Sequence, residues 1–441
     1  MPCFQQQLYH SSIRLKAEFW RLDLGYTKVM KLSDDLVWRG LIKDKTFADG
    51  AWLDEPRTFY HGYDASMPSL TVGNLAALFL DKRLMDAGWK PVILMGGGTS
   101  LVGDPGGKTE ERILQNTEDV AKNIAAIKDQ VANLFEGESF ELVNNHDWLK
   151  DLNFLDFLRD IGKHFSMSEL MQREFVTERL DTGISYAEFS YSLLQGYDFW
   201  HLFKNHKTVL QVGGSDQWGN MLSGVALVRK KEGQEVQALS HPLVVDKSTG
   251  VKFGKSEVGA IWLDPKLTSP TLFYQFWMNA ADDDVEEYLK IFTFLSRSEI
   301  EELLAAHRQD PGKRLAQTKL AETITKMVHG SGGGEASQIV TKFLTGNKPI
   351  DEATPDELRQ IAEEIPAVSA KAGDSLIELL VNSGLAESKT EARRLLADNA
   401  IYVNGHQVNS ELLAAADIDK GVALIRRGKA YKDSALIEQS K

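Results

Sequence analysis

From Thr58 to about Val245, short apolar runs alternate with longer stretches in which apolar residues return every three or four positions. The runs are Thr58-Phe59-Tyr60, Pro91-Val92-Ile93-Leu94-Met95 and Glu141-Leu142-Val143, and the helical stretches between them are Leu75–Ala87 and Thr117–Phe135. Strands that alternate with helices of this length predict an α/β domain with a parallel sheet, spanning 31–264. After Asp264-Pro265 the texture changes to unbroken helical spacing, with Leu272, Phe273, Phe276 and Trp277 followed by Val285, Tyr288, Leu289, Ile291 and Phe292. A helical domain is therefore expected over 265–345. The stretch 346–374, rich in Asp, Glu, Ala and Pro, reads as a linker of short helices, and a small α+β domain is expected over 375–441. Residues 1–30 read as an extension for which disorder is one expectation, because periodic structure starts only near Lys31; Ser33 is expected to cap the helix through Leu36 and Trp38.

Composition narrows the class. At 441 residues the chain is too long for one ordinary core, so two or three domains are expected. The single cysteine, Cys3, excludes a disulfide framework and a cysteine zinc cluster; no structural metal is expected, and a reducing cytoplasm fits. No apolar run reaches the length of a signal peptide or a membrane span. The net charge of −13 argues against holding nucleic acid by bulk attraction. The charge is uneven, however. Residues 371–441 balance 10 Lys+Arg against 10 Asp+Glu, so the first 370 residues carry the whole −13. A neutral tail on an acidic body suggests a separate module.

Five segments carry candidate chemistry. Lys252-Phe253-Gly254-Lys255-Ser256 sets two lysines around a glycine, where they can reach nucleotide phosphates, although paired loop lysines are commonly only solvated. Gln211-Val212-Gly213-Gly214-Ser215-Asp216-Gln217 brings a glycine turn and a carboxylate of the kind that holds a ribose. Gly103-Asp104-Pro105-Gly106-Gly107-Lys108-Thr109 is not a phosphate-binding P-loop, because the position that must be glycine is Val102. It still gathers Asp104, Lys108 and Arg112 at the carboxyl end of a strand, against the plainer reading of a glycine-rich turn. Thr71-Val72-Gly73-Asn74 opens a helix with a glycine beside free N–H groups, a good phosphate seat or simply a capped helix start. Tyr191, Gln195 and Asp198 fall on one helix face. A buried face would rarely align phenol, amide and carboxylate without partners for them, whereas a solvated face could.

In this order on one α/β domain, the segments resemble the bacterial tyrosyl-tRNA synthetases, a family of class I aminoacyl-tRNA synthetases. The similarity runs from about Lys31 to the C-terminus. Lys252–Ser256 is similar to the family's KMSKS loop, and further matches are Gly103-Asp104-Pro105, His164-Phe165-Ser166-Met167, Glu188–Asp198, Gly213–Asn220 and Ser269-Pro270 with Phe273–Trp277. The resemblance implies a Rossmann-like catalytic domain that activates tyrosine with ATP to tyrosyl-adenylate, releases pyrophosphate and esterifies tRNA, with Mg2+ carried by the nucleotide. It implies that Tyr60 and Asp198 bond the substrate phenol, that Asp104, Tyr191 and Gln195 hold its ammonium, and that Gln217 lies near the reacting carboxylate. Gly62, Asp64, Gly73, Gly214 and Asp216 would line the nucleotide site. Ser66, Thr71, Asn74, Lys108, Arg112, Lys252 and Lys255 would stabilise the phosphates. A homodimer is implied as well.

The first signature departs from the family's usual His-Ile-Gly-His: Thr71 loses an imidazole, while Asn74 keeps a donor. His61 stands where many relatives have cysteine, adding a titratable group near the expected ribose. The last domain resembles an S4 RNA-binding module, in which Lys389, Arg393, Arg394, Arg426, Arg427 and Lys429 would face phosphates. One rival reading is an RNA-binding homologue that no longer activates tyrosine. Another is a related enzyme for tryptophan or a different aromatic amino acid, against which Asp198 argues.

Overall fold

The protein is described by a computed structural model that covers residues 30–104, 115–177, 183–245, 255–256, 259–418, 420–428 and 433–440. Its internal packing divides the chain into two units. One runs to Asp264 and takes in Ala281–Ala316; the other joins Pro265–Ala280 to the chain from Gln317 onward. Among the described residues no helix is long and apolar enough to cross a membrane.

The first unit is built on six strands: β1 (Asp44–Lys45), β2 (Thr58–Tyr63), β3 (Lys90–Met95), β4 (Glu141–Asn144), β5 (Leu210–Gly214) and β6 (Gln237–His241). They lie in the order β1-β6-β5-β2-β3-β4, and all except the antiparallel edge strand β1 are parallel. The parallel sheet read from the apolar runs is thus present. β3 is buried at every position after Lys90, as expected of a strand covered on both faces. The chain leaves β2 toward β3 and β4 on one side and returns to β5 and β6 on the other. The order reverses between β2 and β5, and an open sheet has its ligand crevice beyond the carboxyl ends of the strands at such a point. A short antiparallel ribbon, β7 (Lys255–Ser256) with β8 (Gly259–Ala260), follows in sequence.

Two long helices cover the sheet near this crevice. The helix Tyr186–His206 starts on a reciprocal cap, with Glu188 N–H donating to Ser185 Oγ at 3.2 Å and the Ser185 amide and hydroxyl donating back to Glu188 Oε2. It packs on the helix Trp218–Glu232 at Gly224, where an added Cβ would stand 2.6 Å from Phe199 Cβ. Only glycine permits that approach, and it seats Phe199 against the ring of Tyr60, 5.1 Å between centroids.

Two expectations need correction. Ser33 does not cap the first helix, Leu32–Trp38; its amide and hydroxyl both donate to the Asp54 carboxylate, at 3.0 and 2.9 Å, and Lys31 takes the cap position. The stretch 265–345 is helical, with helices Pro270–Met278, Asp282–Phe292, Arg297–Gln309 and Leu315–Leu344, but it does not pack as one body. Residues 281–316 return to the first unit because two buried guanidiniums take up the carbonyls left at the end of the helix Asp282–Phe292. Arg39 donates to the Lys290, Thr293 and Leu295 carbonyls, and Arg83 to those of Thr293 and Phe79. Asp35 accepts from Arg39 Nε at 2.8 Å and lies 3.8 Å from Arg83 Nε.

In the second unit the helix Leu315–Leu344 breaks at Gly330, whose φ of 76° suits glycine alone. A five-stranded sheet follows in the order β11-β10-β12-β13-β9: β9 (Ala367–Ala370), β10 (Ile401–Val403), β11 (His406–Val408), β12 (Val422–Arg427) and β13 (Ser434–Gln439). β9 lies within the stretch read as a linker, yet it pairs parallel with β13 and is part of this sheet. Alternation along the strands buries both faces. Ala423, Ile425, Ala435 and Ile437 pack with the helices Leu376–Asn382 and Lys389–Ala397, whereas Leu424 and Leu436 pack with Val340, Phe343, Leu344, Ile350 and Ile361.

Candidate active site

Of the residues singled out in the sequence, Tyr60, Asp64, Asp104, Tyr191, Asp198 and Gln217 come together near the carboxyl ends of β2, β3, β4 and β5. Tyr60 sits on β2 opposite Gln211 of β5, and at 1% exposure its ring is wholly inside. Its hydroxyl oxygen is buried and has no hydrogen-bond partner among the described residues. Burial pushes the Tyr60 hydroxyl well above the usual phenol range, and the nearby Asp198 charge adds to the shift.

Asp198 lies on the helix Tyr186–His206 and is 1% exposed. Asn145 Nδ2 donates to its Oδ2 at 2.9 Å and Trp148 Nε1 to its Oδ1 at 2.8 Å. Burial lifts this carboxyl from 3.8 to about 7, and the two donors oppose the shift without cancelling it. A network continues from there. Asn145 Nδ2 also reaches Thr99 Oγ1 at 3.0 Å, Thr99 Oγ1 donates to Asp64 Oδ1 at 3.3 Å, and Tyr191 Oη donates to Asp64 Oδ2 at 3.1 Å. Asp104 accepts from Gln217 Nε2 at 2.5 Å, and Asn220 Nδ2 donates to Gln217 Oε1 at 3.1 Å. The two sets meet at Tyr191, whose hydroxyl is raised by burial and then by the charges of Asp64 and Asp104. The result is a largely buried polar cluster of carboxylates, phenols and amides.

Asn145, Trp148 and Thr99 were not singled out from the sequence. The usable signal was positional: Asn145 directly follows β4, at the edge of the sheet where ligands bind.

The nucleotide side is described in part. Thr71 and Asn74 turn to each other, the Thr71 amide and hydroxyl both donating to Asn74 Oδ1, at 2.9 and 3.2 Å, so the amide oxygen of Asn74 caps its own helix. Gly73 and Gly62 are exposed, Asp216 is exposed beside the end of β5, and a Cβ on Gly214 would stand 2.5 Å from Asp216 Oδ1, so that carboxylate would have to turn away. Ser66 is half-buried, and its carbonyl accepts from Gln115. Gln195 is half-buried on the helix that carries Tyr191 and Asp198. Lys108, Arg112 and Lys252 lie outside the described residues, and of Lys255 only the backbone, in β7, is described. His61 is buried and tied to Asp81, its Nδ1 2.8 Å from Oδ1, with Tyr63 Oη donating to the other oxygen at 2.6 Å. The His241 ring is tilted toward that of His61, with centroids 6.5 Å apart. Burial, with His61 beside it, brings His241 down to about 4.

These features can be set against known proteins. The model of the class I tRNA synthetases for tryptophan and tyrosine matches residues 53–345, and that of the SYY-like C-terminal domain of tyrosine–tRNA ligases matches 357–432. The tyrosine–tRNA ligases of Anaeromyxobacter dehalogenans and Bacillus caldotenax are each 44% identical over 413 residues, 91% of this chain and 98% of the relative. The chain belongs to the tyrosine–tRNA ligase family. A C-terminally truncated mitochondrial tyrosyl-tRNA synthetase of Aspergillus nidulans superposes with a TM-score of 0.64 at 30% identity, covering 76% of this chain and 99% of that one. Within a tyrosine–tRNA ligase, Tyr60 and Asp198 are the pair that the family resemblance implies for the substrate's phenol, and both are buried.

In the C-terminal module of this tyrosine–tRNA ligase family member the expected basic positions differ in setting. Arg393 and Arg394 are exposed on the helix Lys389–Ala397, and Lys389 is exposed but paired with Glu378 at 2.7 Å. Arg426 lies over the Tyr402 ring and donates to the Leu344 carbonyl, while Arg427 sits 3.5 Å from both Glu391 and Asp433. Lys429 lies outside the described residues.

The Asp198 shift sets a pH dependence. The family resemblance makes Asp198 the expected acceptor of the substrate's phenol; a phenol donates best to an ionised carboxylate, and near pH 7 the Asp198 carboxyl is about half protonated. The KM for tyrosine is expected to rise as pH falls below about 7 and to level off above it. The profile of kcat/KM against pH checks this, and one that is flat through neutrality contradicts it. The same shift works against folding: between 3.8 and about 7 the folded protein holds a proton that the unfolded chain gives up, so this contribution to stability declines as pH rises through that window.

Proposed function

We propose that the pocket between β2 and the helix Tyr186–His206 binds tyrosine by its phenol and that the protein activates it for ligation to tRNA. The observation that carries this reading is the Tyr60 hydroxyl, buried near the Asp198 carboxyl and without a partner among the described residues. Leaving such a group unpaired costs about 1–3 kcal/mol, a cost that a bound phenolic hydroxyl would remove. Asp104, Tyr191, Gln195 and Gln217 form the polar end that takes the ammonium and carboxylate, and Asp64, which accepts from Tyr191, joins it to the nucleotide site.

Catalysis in this reading is alignment and charge stabilisation. The tyrosine carboxylate attacks the α-phosphorus of ATP and pyrophosphate leaves with the bonding pair; the terminal ribose hydroxyl of tRNA then attacks the adenylate carbonyl, gives up its proton to the departing phosphate or solvent, and displaces AMP as the acyl–phosphate bond breaks. No protein nucleophile takes part. Lys108, Arg112, Lys252, Lys255, Ser66 and Thr71 serve the phosphates, Asn74 holds Thr71, and Gly62, Gly73, Gly214 and Asp216 border the nucleotide, whose Mg2+ arrives with it. The C-terminal module holds tRNA, with Arg393 and Arg394 as the open cations. A cytoplasmic workplace follows from the need to meet tRNA.

The test is tyrosine-dependent exchange of pyrophosphate into ATP, run with tyrosine, phenylalanine and tryptophan side by side. Exchange with tyrosine alone is expected. Its absence in a protein that still binds tRNA would favour the rival in which the Thr71–Asn74 signature has lost activation, and exchange with tryptophan would reassign the substrate.

A homodimer completes the reading. Phe154 and Leu155 are 63% and 72% exposed, Leu158 is exposed on the same helix, Phe154–Asp160, and Met167 and Met171 are exposed at the start and just past the end of the short helix Met167–Leu170. Apolar side chains gathered this closely on a surface point to a protein contact. Sedimentation velocity is expected to find two chains per particle; a monomer at working concentration would reject the dimer.

A further inference from the structure

We infer that His201 is a positioning residue for phenol recognition, acting through Trp148. The inference rests on the proposed role of Asp198 as the phenol's acceptor and extends it outward by two side chains.

The two donors that hold Asp198 are not equally fixed. Asn145 is fully buried, and its amide is held on every side: the oxygen accepts from Gly98 N–H at 2.7 Å, and the nitrogen donates to both Thr99 and Asp198. It cannot turn without breaking several bonds. Trp148 is only half-buried, on the short helix His146–Leu149, and its indole has a single donor. The direction of that N–H therefore follows the plane of the ring. The imidazole of His201 lies flat on the indole, with 4.3 Å between centroids and 13° between planes. His201 is on the helix that carries Asp198, one turn further along, so the same element supplies the carboxylate and the plate that orients its donor.

The plate is itself held in place. Tyr197, four residues earlier on that helix, has its ring centroid 6.3 Å from that of His201, and the His206 ring lies 6.5 Å from it. His206 in turn is 3.0 Å from Glu141 at the start of β4. Removing the imidazole would open one face of the indole to water and free it to swing. Asp198 would then keep one donor in place of two and would meet the phenol with a less fixed oxygen.

The experiment compares His201→Ala, which deletes the plate, with His201→Phe, which keeps a flat ring there. Asp198→Asn runs as a control on the underlying reading. Pyrophosphate exchange gives KM and kcat for tyrosine and kcat/KM for phenylalanine. Stacked aromatic pairs are worth enough that His201→Ala should raise the tyrosine KM roughly two- to ten-fold, with kcat little changed and the preference over phenylalanine reduced in step. His201→Phe should restore both. An unchanged KM in His201→Ala overturns the inference, as does equal damage in the alanine and phenylalanine variants, because then the flat contact is not what matters. If Asp198→Asn leaves the tyrosine preference intact, the reading of Asp198 falls and the inference falls with it. If Asp198→Asn abolishes the preference while His201→Ala does not touch it, only the role of His201 is lost.

Discussion

Asp198→Asn is expected to remove most of the preference for tyrosine over phenylalanine while leaving the protein folded. The side chains are nearly the same size, so the packing around the helix Tyr186–His206 is kept. What changes is the hydrogen-bond chemistry. Asn145 and Trp148 each aim an N–H at Asp198, one at either oxygen. A carboxylate accepts both and still has lone pairs for a phenolic hydroxyl. An amide has one oxygen only, so its NH2 group must face one of those donors or the substrate. Hydrogen bonds to charged groups are worth about 1.5–3 kcal/mol, which corresponds to roughly ten- to hundred-fold in kcat/KM for tyrosine. Phenylalanine never used the bond and should be little affected. The measured quantity is the ratio of kcat/KM values in pyrophosphate exchange, and an unchanged ratio would take Asp198 out of substrate recognition.

The largest loss of stability is expected for Arg83→Met. Arg83 is wholly buried, and its guanidinium reaches the Thr293 carbonyl at 2.5 Å and the Phe79 carbonyl at 3.0 Å while lying over the ring of Phe294. Methionine fills much of the volume but donates nothing. Buried carbonyls would lose donors, and the buried carboxylate of Asp35 would keep only Arg39 beside it. Stranded buried groups of this kind cost about 1–3 kcal/mol each, so a total near 3 kcal/mol is expected. The urea midpoint for the first unit should fall accordingly, and more than in Arg83→Lys, which retains a charge. If the midpoint does not move, the clasp does not hold 281–316 in place.

These two cases mark where sequence reasoning reaches and where it stops. The alternation of apolar runs and helical stretches identified the parallel sheet, because burial on both faces of a strand is written in consecutive residues. The spacing of Tyr191, Gln195 and Asp198 likewise put one polar stripe on one helix. Asn145 and Trp148 left no such trace. Their work is to bond a residue 53 and 50 positions away, and a lone Asn or Trp near a strand end looks like any other. The return of 281–316 was hidden for the same reason. It depends on Arg39 and Arg83, more than 200 residues from the carbonyls they serve, whereas the local pattern shows only helix after helix. Ser33 had the right residue type for a cap, but Asp54 offered its hydroxyl and amide a bidentate partner.

The double-sided sheet of the second unit bears on where this chain can be cut. Val340, Phe343 and Leu344 close the helical segment, but they are covered by Leu424 and Leu436 from strands near the C-terminus and by Ile361 from the stretch between. A fragment ending at 345 would present that greasy seam to solvent, and one beginning at 375 would expose its other half and lose β9 as well. Anyone preparing the RNA-binding half by itself would do better to start upstream of Val340, so that both sides of the seam travel together.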